Sequence, residues 1–267
     1  MSNHEVFIHP TAIVDSQAKL GIGVSIGPYS IIGAEVELGD HCKVHSHVVL
    51  DGKLIVGHDN SFFQFASIGA PPQDHSYKND PTRTIIGDNN IFREYVSIHR
   101  GTLKQEGKTV LGSNCMVMAH AHLGHDVVVE DRVILVNSVN LAGHVKIGEK
   151  SIISGATNIS QFITIGRGSF IGGLSGVDRD IPPYCTALGN HVRLKGINIV
   201  GLRRQGIEKP LISELVDFYR TMESSALSPR AFVENKQLME DFQDNILVKE
   251  LVQFISKSEI GVAPFIS

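Results

Sequence analysis

The sequence predicts an all-β fold, a parallel β-helix built from hexapeptide repeats and closed by a C-terminal α-helical domain. Three observations carry this. An aliphatic or aromatic residue recurs every six positions through the first two thirds of the chain. The position after it is often Gly, and the fourth position after it is commonly small or β-branched, as at Ala12, Ala18, Val24, Ser30, Val36 and Cys42. Beyond residue 190 the six-residue period gives way to helical spacing.

The repeat starts at Ile8 and continues through Val14, Leu20, Ile26, Ile32, Leu38, Val44, Leu50, Val56, Phe62 and Ile68, eleven hits without a slip. Ile86, Phe92 and Ile98 add three, and a run from Leu111 to Val177 adds twelve. Period six fits neither an α-helix nor a simple alternating strand. It fits a short strand plus a bend, with three such units closing a triangular coil of 18 residues. One coil cannot bury its own interior face, so stacking must supply the stability. The glycines, among them Gly21, Gly27, Gly33 and Gly39, are expected to permit bends that a Cβ would hinder.

Two polar stretches interrupt the lattice, residues 70–85 and 103–110, and read as loops ejected from a rigid scaffold. Such loops tend to carry function. The repeat ends near Val177. Leu211, Leu215, Phe218 and Met222 then follow i, i+4, i+7, i+11 spacing, the apolar stripe of a helix. Ser228-Pro229 reads as an N-cap followed by Pro at the first helical position. Leu247, Val248, Leu251, Val252 and Ile255 mark a last amphipathic helix. The expected division is a β-helix over 1–190 and a helical domain over 191–267 that closes its open end.

Hydrophobic residues make up 42% of the chain, but aromatics only 6% and Trp is absent, so the core is expected to be aliphatic. A net charge of −4 argues against a nucleic-acid binder. Cys42, Cys115 and Cys185 are odd in number and far apart, which fits a reducing compartment rather than a disulfide framework. The first sixteen residues show no basic segment leading into an apolar one, and no apolar run approaches membrane-spanning length. The expectation is a cytoplasmic chain without membrane insertion.

The segment MAHAHLGHD brings His120, His122, His125 and Asp126 together, with His99 before it and His144 after it. An 18-residue coil stacks His125, Gly143 and Gln161 in one column and sets Asp126 against His144. Two chemistries compete for this cluster. Neutral imidazoles at His99, His120 and His125 would suit a zinc site of the carbonic-anhydrase kind, built across a subunit boundary. Alternatively His125 works without metal as a general base, oriented by Asp126, with the Gly143 N–H receiving the oxyanion of an acyl transfer. Solvated histidines on a polar solenoid surface are the unremarked third case.

The segments IHPTAIV (8–14), IGPYSIIG (26–33), QFASIG (64–69), IHRGT (98–102), AHLGHD (121–126), LAGHV (141–145), DIPPY (180–184) and GNH (189–191) together resemble the UDP-N-acetylglucosamine O-acyltransferases of lipid A biosynthesis. The resemblance runs along essentially the whole chain. It implies a left-handed coil, an exception to the usual crossover hand. It implies transfer of a 3-hydroxyacyl group from acyl carrier protein to the glucosamine 3-hydroxyl of UDP-N-acetylglucosamine, with no cofactor beyond the carrier's phosphopantetheine. His125 would be the base, Asp126 its support and Gly143 the oxyanion donor. Asp74, His122, His144 and Gln161 would hold the sugar nucleotide, Asn198 and Arg204 the diphosphate and uridine, and Gly155, Gly173 and His191 the acyl groove. Gly173 leaves that groove open for a longer chain. The family is homotrimeric, with sites between neighbouring prisms. The related N-acyltransferases of the same pathway usually carry an extra N-terminal uridine-binding domain, for which a repeat beginning at Ile8 leaves no room.

The basic residues Arg193, Lys195, Arg203, Arg204 and Lys209, set against Glu208 alone, suit a diphosphate and an acidic carrier protein. Four positions depart from the family pattern: Ser76, Ser160, Val200 and Gln205. Lys78 is the expected substitute for the cation missing at position 76.

Overall fold

A computed structural model describes residues 5–242 and 244–266. Three parallel sheets of short strands form the faces of a prism. The first face runs from Phe7–Ile8 to the strands Cys185–Leu188 and Arg193–Ile197, and holds eleven strands. The second runs from Ile13–Val14 to Gly176–Val177 in nine strands, and the third from Lys19–Leu20 to Thr164–Ile165 in eight. Repeat positions from Ile8 to Ile159 pair with their counterparts one coil on, as in Leu123↔Leu141 and Leu141↔Ile159. The ejected segments are slightly shorter than the sequence indicates. Four-residue strands at Arg83–Ile86 and Lys108–Leu111 pair along their full length, which returns 83–85 and 108–110 to the lattice.

The repeat positions point inward. Ile26, Leu50, Phe62, Phe92, Leu123, Leu141 and Ile171 are fully buried, and the small residues four positions later, such as Val24, Ser30, Val36 and Cys42, fill the corners between them. Phe62 and Phe92 stack inside the prism with centroids 4.9 Å apart.

The bends depend on other residues than the sequence suggests. Left-handed backbone falls three positions after most repeat residues and is mostly not glycine: Tyr29, His47, Phe65, Tyr95, His120, Asp126, His144 and Phe162 all have φ between 57° and 67°. Such a conformation costs a side-chain-bearing residue about 1–2 kcal/mol. Rung-to-rung hydrogen bonds at the same residues offset this, for example His144 N–H to the His125 carbonyl at 3.0 Å. The glycines after the repeat residue answer a different demand. A Cβ on Gly27 would lie 2.8 Å from the backbone of His45, and one on Gly39 2.6 Å from Gly57. They are there because the next coil passes too close for a side chain.

The strand Arg193–Ile197 turns back antiparallel on Cys185–Leu188, and the helices follow. They are α1 (Ile199–Arg204), α2 (Lys209–Ser224), α3 (Pro229–Val233), α4 (Lys236–Met239) and α5 (Ile246–Lys257). The stripe on α2 buries Leu215, Phe218 and Met222, and α5 buries Leu247, Val248, Leu251 and Ile255. Ser228 caps α3 through the Ala231 N–H. The helices are fastened to the last coils by Glu250, which takes a bidentate bond from Arg167 at 2.6 and 2.7 Å, and by Asp180, which accepts from Ser258 Oγ at 2.7 Å. Among the described residues, no helix is long and apolar enough to cross a membrane.

Candidate active site

The corner between the second and third faces is built by Leu123 to Val127. Leu123 and Val127 are fully buried and fix it from inside, which throws His125 and Asp126 outward. The Asp126 backbone is left-handed, with φ of 60°, a region that Asp tolerates better than most residues. Its N–H donates to Thr109 Oγ1 at 2.9 Å. Its carboxylate accepts the Thr102 N–H at 2.9 Å on Oδ1, and the Thr102 hydroxyl at 2.7 Å on Oδ2. Oδ2 also lies 2.8 Å from His125 Nδ1. A carboxylate at Nδ1 places the imidazole proton there and leaves the Nε2 lone pair free.

Gly143 lies one coil along, against the His125 ring. A Cβ at 143 would stand 2.5 Å from Cε1 and 2.7 Å from Nε2, so the glycine makes room for the imidazole. The ladder pairs the amides on either side, Ala142 to the Ile159 carbonyl and His144 to the His125 carbonyl, whereas the Gly143 N–H has no partner among the described residues. The corner thus sets the imidazole against Gly143, whose amide has no partner among the described residues. Gln161 follows in the same column and is exposed.

Further imidazoles line the rim. His144 packs edge-on to His125 with centroids 4.9 Å apart, and Phe162 stacks flat on its other side at 4.4 Å. Its Nδ1 is 3.8 Å from Asp126 Oδ2 and has no hydrogen bond. His122 Nδ1 shares a 2.8 Å hydrogen bond with Ser97 Oγ, and His99 sits edge-on to His122 at 4.9 Å. Burial lowers the pKa of His122, and that of His144 against the raising effect of Asp126. Burial first, then His122 and His125, push His99 down to about 4.

This has a consequence for stability. The folded pKa of His99 lies below its ordinary 6.5, so below pH 6.5 the unfolded chain takes up the proton first and stability is lost as pH falls toward 4. We expect the unfolding midpoint to drop between pH 7 and 4.5, and to drop less in His99→Asn. Equal slopes in thermal melts would contradict this.

His99, His120 and His125 do not converge as a zinc set within one chain. His120 belongs to the neighbouring corner, where it caps an aromatic ladder of Tyr29, His47, Phe65 and Tyr95, with its ring 4.8 Å from that of Tyr95. Among the described residues, only His125, Asp126 and His144 bring potential ligand atoms all within 4.8 Å of one another. In that set Asp126 is already engaged by Thr102 and by His125 Nδ1.

Asp74 stands on the first ejected loop, which is tied to the second two residues past the Thr102 that holds Asp126. The cation beside it is Lys104 of the second loop, at 2.6 Å, and not Lys78. The remaining expected site residues stand elsewhere on the same chain. Gly155 and Gly173 stack one above the other at the corner after the first face, with a Cβ on Gly173 meeting the Gly155 carbonyl at 3.2 Å. His191 is exposed, 3.4 Å from Asp178. Asn198 caps α1 through the Gly201 N–H and donates to the Gly168 carbonyl, and Arg204 is exposed in the last turn of α1. A cavity of about 970 Å³ begins at His144 and Phe162 and runs along the third face to α5. Thr102, Thr109 and Lys104 escape sequence reasoning because the second loop shifts the register between residues 98 and 123 from 18 to 25 positions.

Comparison with known proteins follows the same outline. Residues 17–52 match the bacterial transferase hexapeptide family, six repeats, and residues 180–263 match domain 2 of Udp N-acetylglucosamine O-acyltransferase. The chain is 43% identical over 256 residues to the acyl-[acyl-carrier-protein]–UDP-N-acetylglucosamine O-acyltransferase of Syntrophobacter fumaroxidans, covering 96% of this chain and 98% of that one. This chain belongs to that acyltransferase family. The LpxA structure from Acinetobacter baumannii superposes with a TM-score of 0.92 at 40% identity, over 96% of this chain and 99% of that one. The Francisella novicida UDP-N-acetylglucosamine acyltransferase does so with 0.90 at 34% identity, over 97% and 94%. As a member of the family the chain is an enzyme, an acyltransferase.

Proposed function

We propose that the chain transfers a 3-hydroxyacyl group from acyl carrier protein to the glucosamine 3-hydroxyl of UDP-N-acetylglucosamine, the first step of lipid A biosynthesis, by general-base catalysis at His125. The observation that carries this reading is the His125–Asp126 pair with its free Nε2 set against the unpaired Gly143 N–H. Nε2 takes the proton of the sugar hydroxyl as its oxygen attacks the thioester carbon. The Gly143 N–H receives the developing oxyanion, and Asp126 stabilises the imidazolium. Collapse of the tetrahedral intermediate breaks the carbon–sulfur bond, and the imidazolium returns its proton to the pantetheine sulfur. The donor thiol arrives on the carrier protein, and the reaction calls for no metal.

Asp74, His122, His144 and Gln161 bind the sugar nucleotide in this reading, Asn198 and Arg204 its nucleotide end, and Gly155, Gly173 and His191 the acyl chain. These groups occupy separate places on one chain, so a complete site takes residues from two, in a homotrimer of left-handed prisms. An outward apolar stripe supports that assembly: Ile91, Met116, Ile134, Ile152 and Phe170 stand in register on the first face, and parallel sheets are generally covered on both sides. The exposed Arg193, Lys195, Arg203, Arg204 and Lys209 suit a diphosphate and an acidic carrier in the cytoplasm.

The test is an acyl-transfer assay pairing carrier-protein thioesters of graded length with UDP-N-acetylglucosamine and with its 2,3-diamino analogue. Ester formation on UDP-N-acetylglucosamine, with 3-hydroxyacyl donors preferred, is expected. Transfer to the amine alone would reassign the acceptor.

A further inference from the structure

We infer that Lys104 is a positioning residue for the sugar-nucleotide side of the site, holding Asp74 and the loop that carries it against the His125–His144 corner; the inference rests on the acyltransferase reading above. The Asp74 carboxylate is held at both oxygens. Oδ1 accepts the Ser76 N–H and hydroxyl, both at 2.8 Å, and Oδ2 accepts Lys104 Nζ at 2.6 Å. Only 11% of the Asp74 side chain is exposed, against 54% of Lys104. The carboxylate is therefore largely enclosed while the lysine stays open to solvent.

The segment carrying Lys104 is itself part of the catalytic corner. Arg100 donates to the Gly69 carbonyl at 2.8 Å and to Tyr77 Oη at 3.0 Å, which ties down the middle of the first loop. Two residues later Thr102 holds Asp126. Two residues later again, Lys104 holds Asp74. One short stretch thus fastens both the carboxylate that orients the base and the carboxylate on the acceptor loop. Lys104 first, then Ser76, hold the Asp74 carboxyl well below the ordinary carboxylate range, so it stays ionised and accepts hydrogen bonds from a hydroxyl-rich ligand.

A partly exposed ion pair contributes little to stability. Its value here is geometric, and this separates a positioning role from a structural one. In Lys104→Ala we expect the KM for UDP-N-acetylglucosamine to rise about tenfold, with kcat within about threefold, the KM for the acyl donor unchanged and the melting temperature preserved. Lys104→Arg should recover most of the loss. Because Lys104 acts through Asp74, the double variant Asp74→Ala/Lys104→Ala should be no worse than Asp74→Ala alone. An unchanged acceptor KM, a parallel rise in donor KM, or additive losses in the double variant would each overturn the inference. A wild-type chain that fails to acylate UDP-N-acetylglucosamine would overturn the underlying reading, and the inference with it.

Discussion

Replacing His125 by Ala is expected to lower the rate of acyl transfer by at least about 10²–10⁴-fold, the usual contribution of a general base, while the prism remains folded. The ring lies outside the hydrophobic interior, and its hydrogen bond is to Asp126, which keeps both bonds from Thr102 when the imidazole is gone. Asp126 therefore has no reason to collapse into the space. Steady-state kinetics with a parallel thermal melt checks this. An unfolded variant would move His125 to a structural role, and near-normal turnover would remove it from the mechanism.

The second large effect is expected at Gly143. This glycine does not have the left-handed backbone that excludes side chains, so Ala is acceptable to the chain itself. The cost falls on His125, because the new methyl would stand 2.5 Å from Cε1, 2.7 Å from Nε2 and 3.0 Å from Nδ1. The ring has to swing away, and its 2.8 Å bond to Asp126 stretches or breaks. A displacement of about 1 Å at a reacting group costs on the order of 10² in rate. Gly143→Ala should therefore lower kcat by about that factor with little change in melting temperature. A variant that keeps its kcat would mean that the imidazole geometry is not what sets the rate.

How much of this was legible in the sequence depends on whether the six-residue lattice was intact. Where it was, from Leu123 to Val177, an 18-residue step alone put Gly143 against His125 and His144 against Asp126, and the contacts are there. Where a loop is ejected, the count of residues no longer measures position along the prism. Thr102 meets Asp126 across 24 positions and Lys104 meets Asp74 across 30, and no periodicity leads to either. Within one chain His99, His120 and His125 stay apart for a related reason. His120 and Asp126 are equivalent positions of consecutive units, each three after a repeat residue, and consecutive units turn onto different corners. Neighbours in sequence are therefore separated in space.

The glycines show the limit of reading a residue type as a conformation. In most turns glycine supplies the left-handed backbone, and from sequence alone the bends fall to it on that ground. Here the left-handed positions are filled by Tyr29, His47, Asp126 and others, whose amides gain partners on the preceding rung, and the glycines mark close approach between rungs. The bonds across rungs decide this, and they exist only once the coils are stacked.

The most direct test of the account is single-turnover acyl transfer to UDP-N-acetylglucosamine by chelator-treated wild-type protein and by His125→Ala, with metal content measured on the same samples. The account predicts a metal-free wild type that forms product at its full rate, and a folded variant that forms almost none. Stoichiometric zinc whose removal abolishes transfer, or an unimpaired His125→Ala, would contradict it.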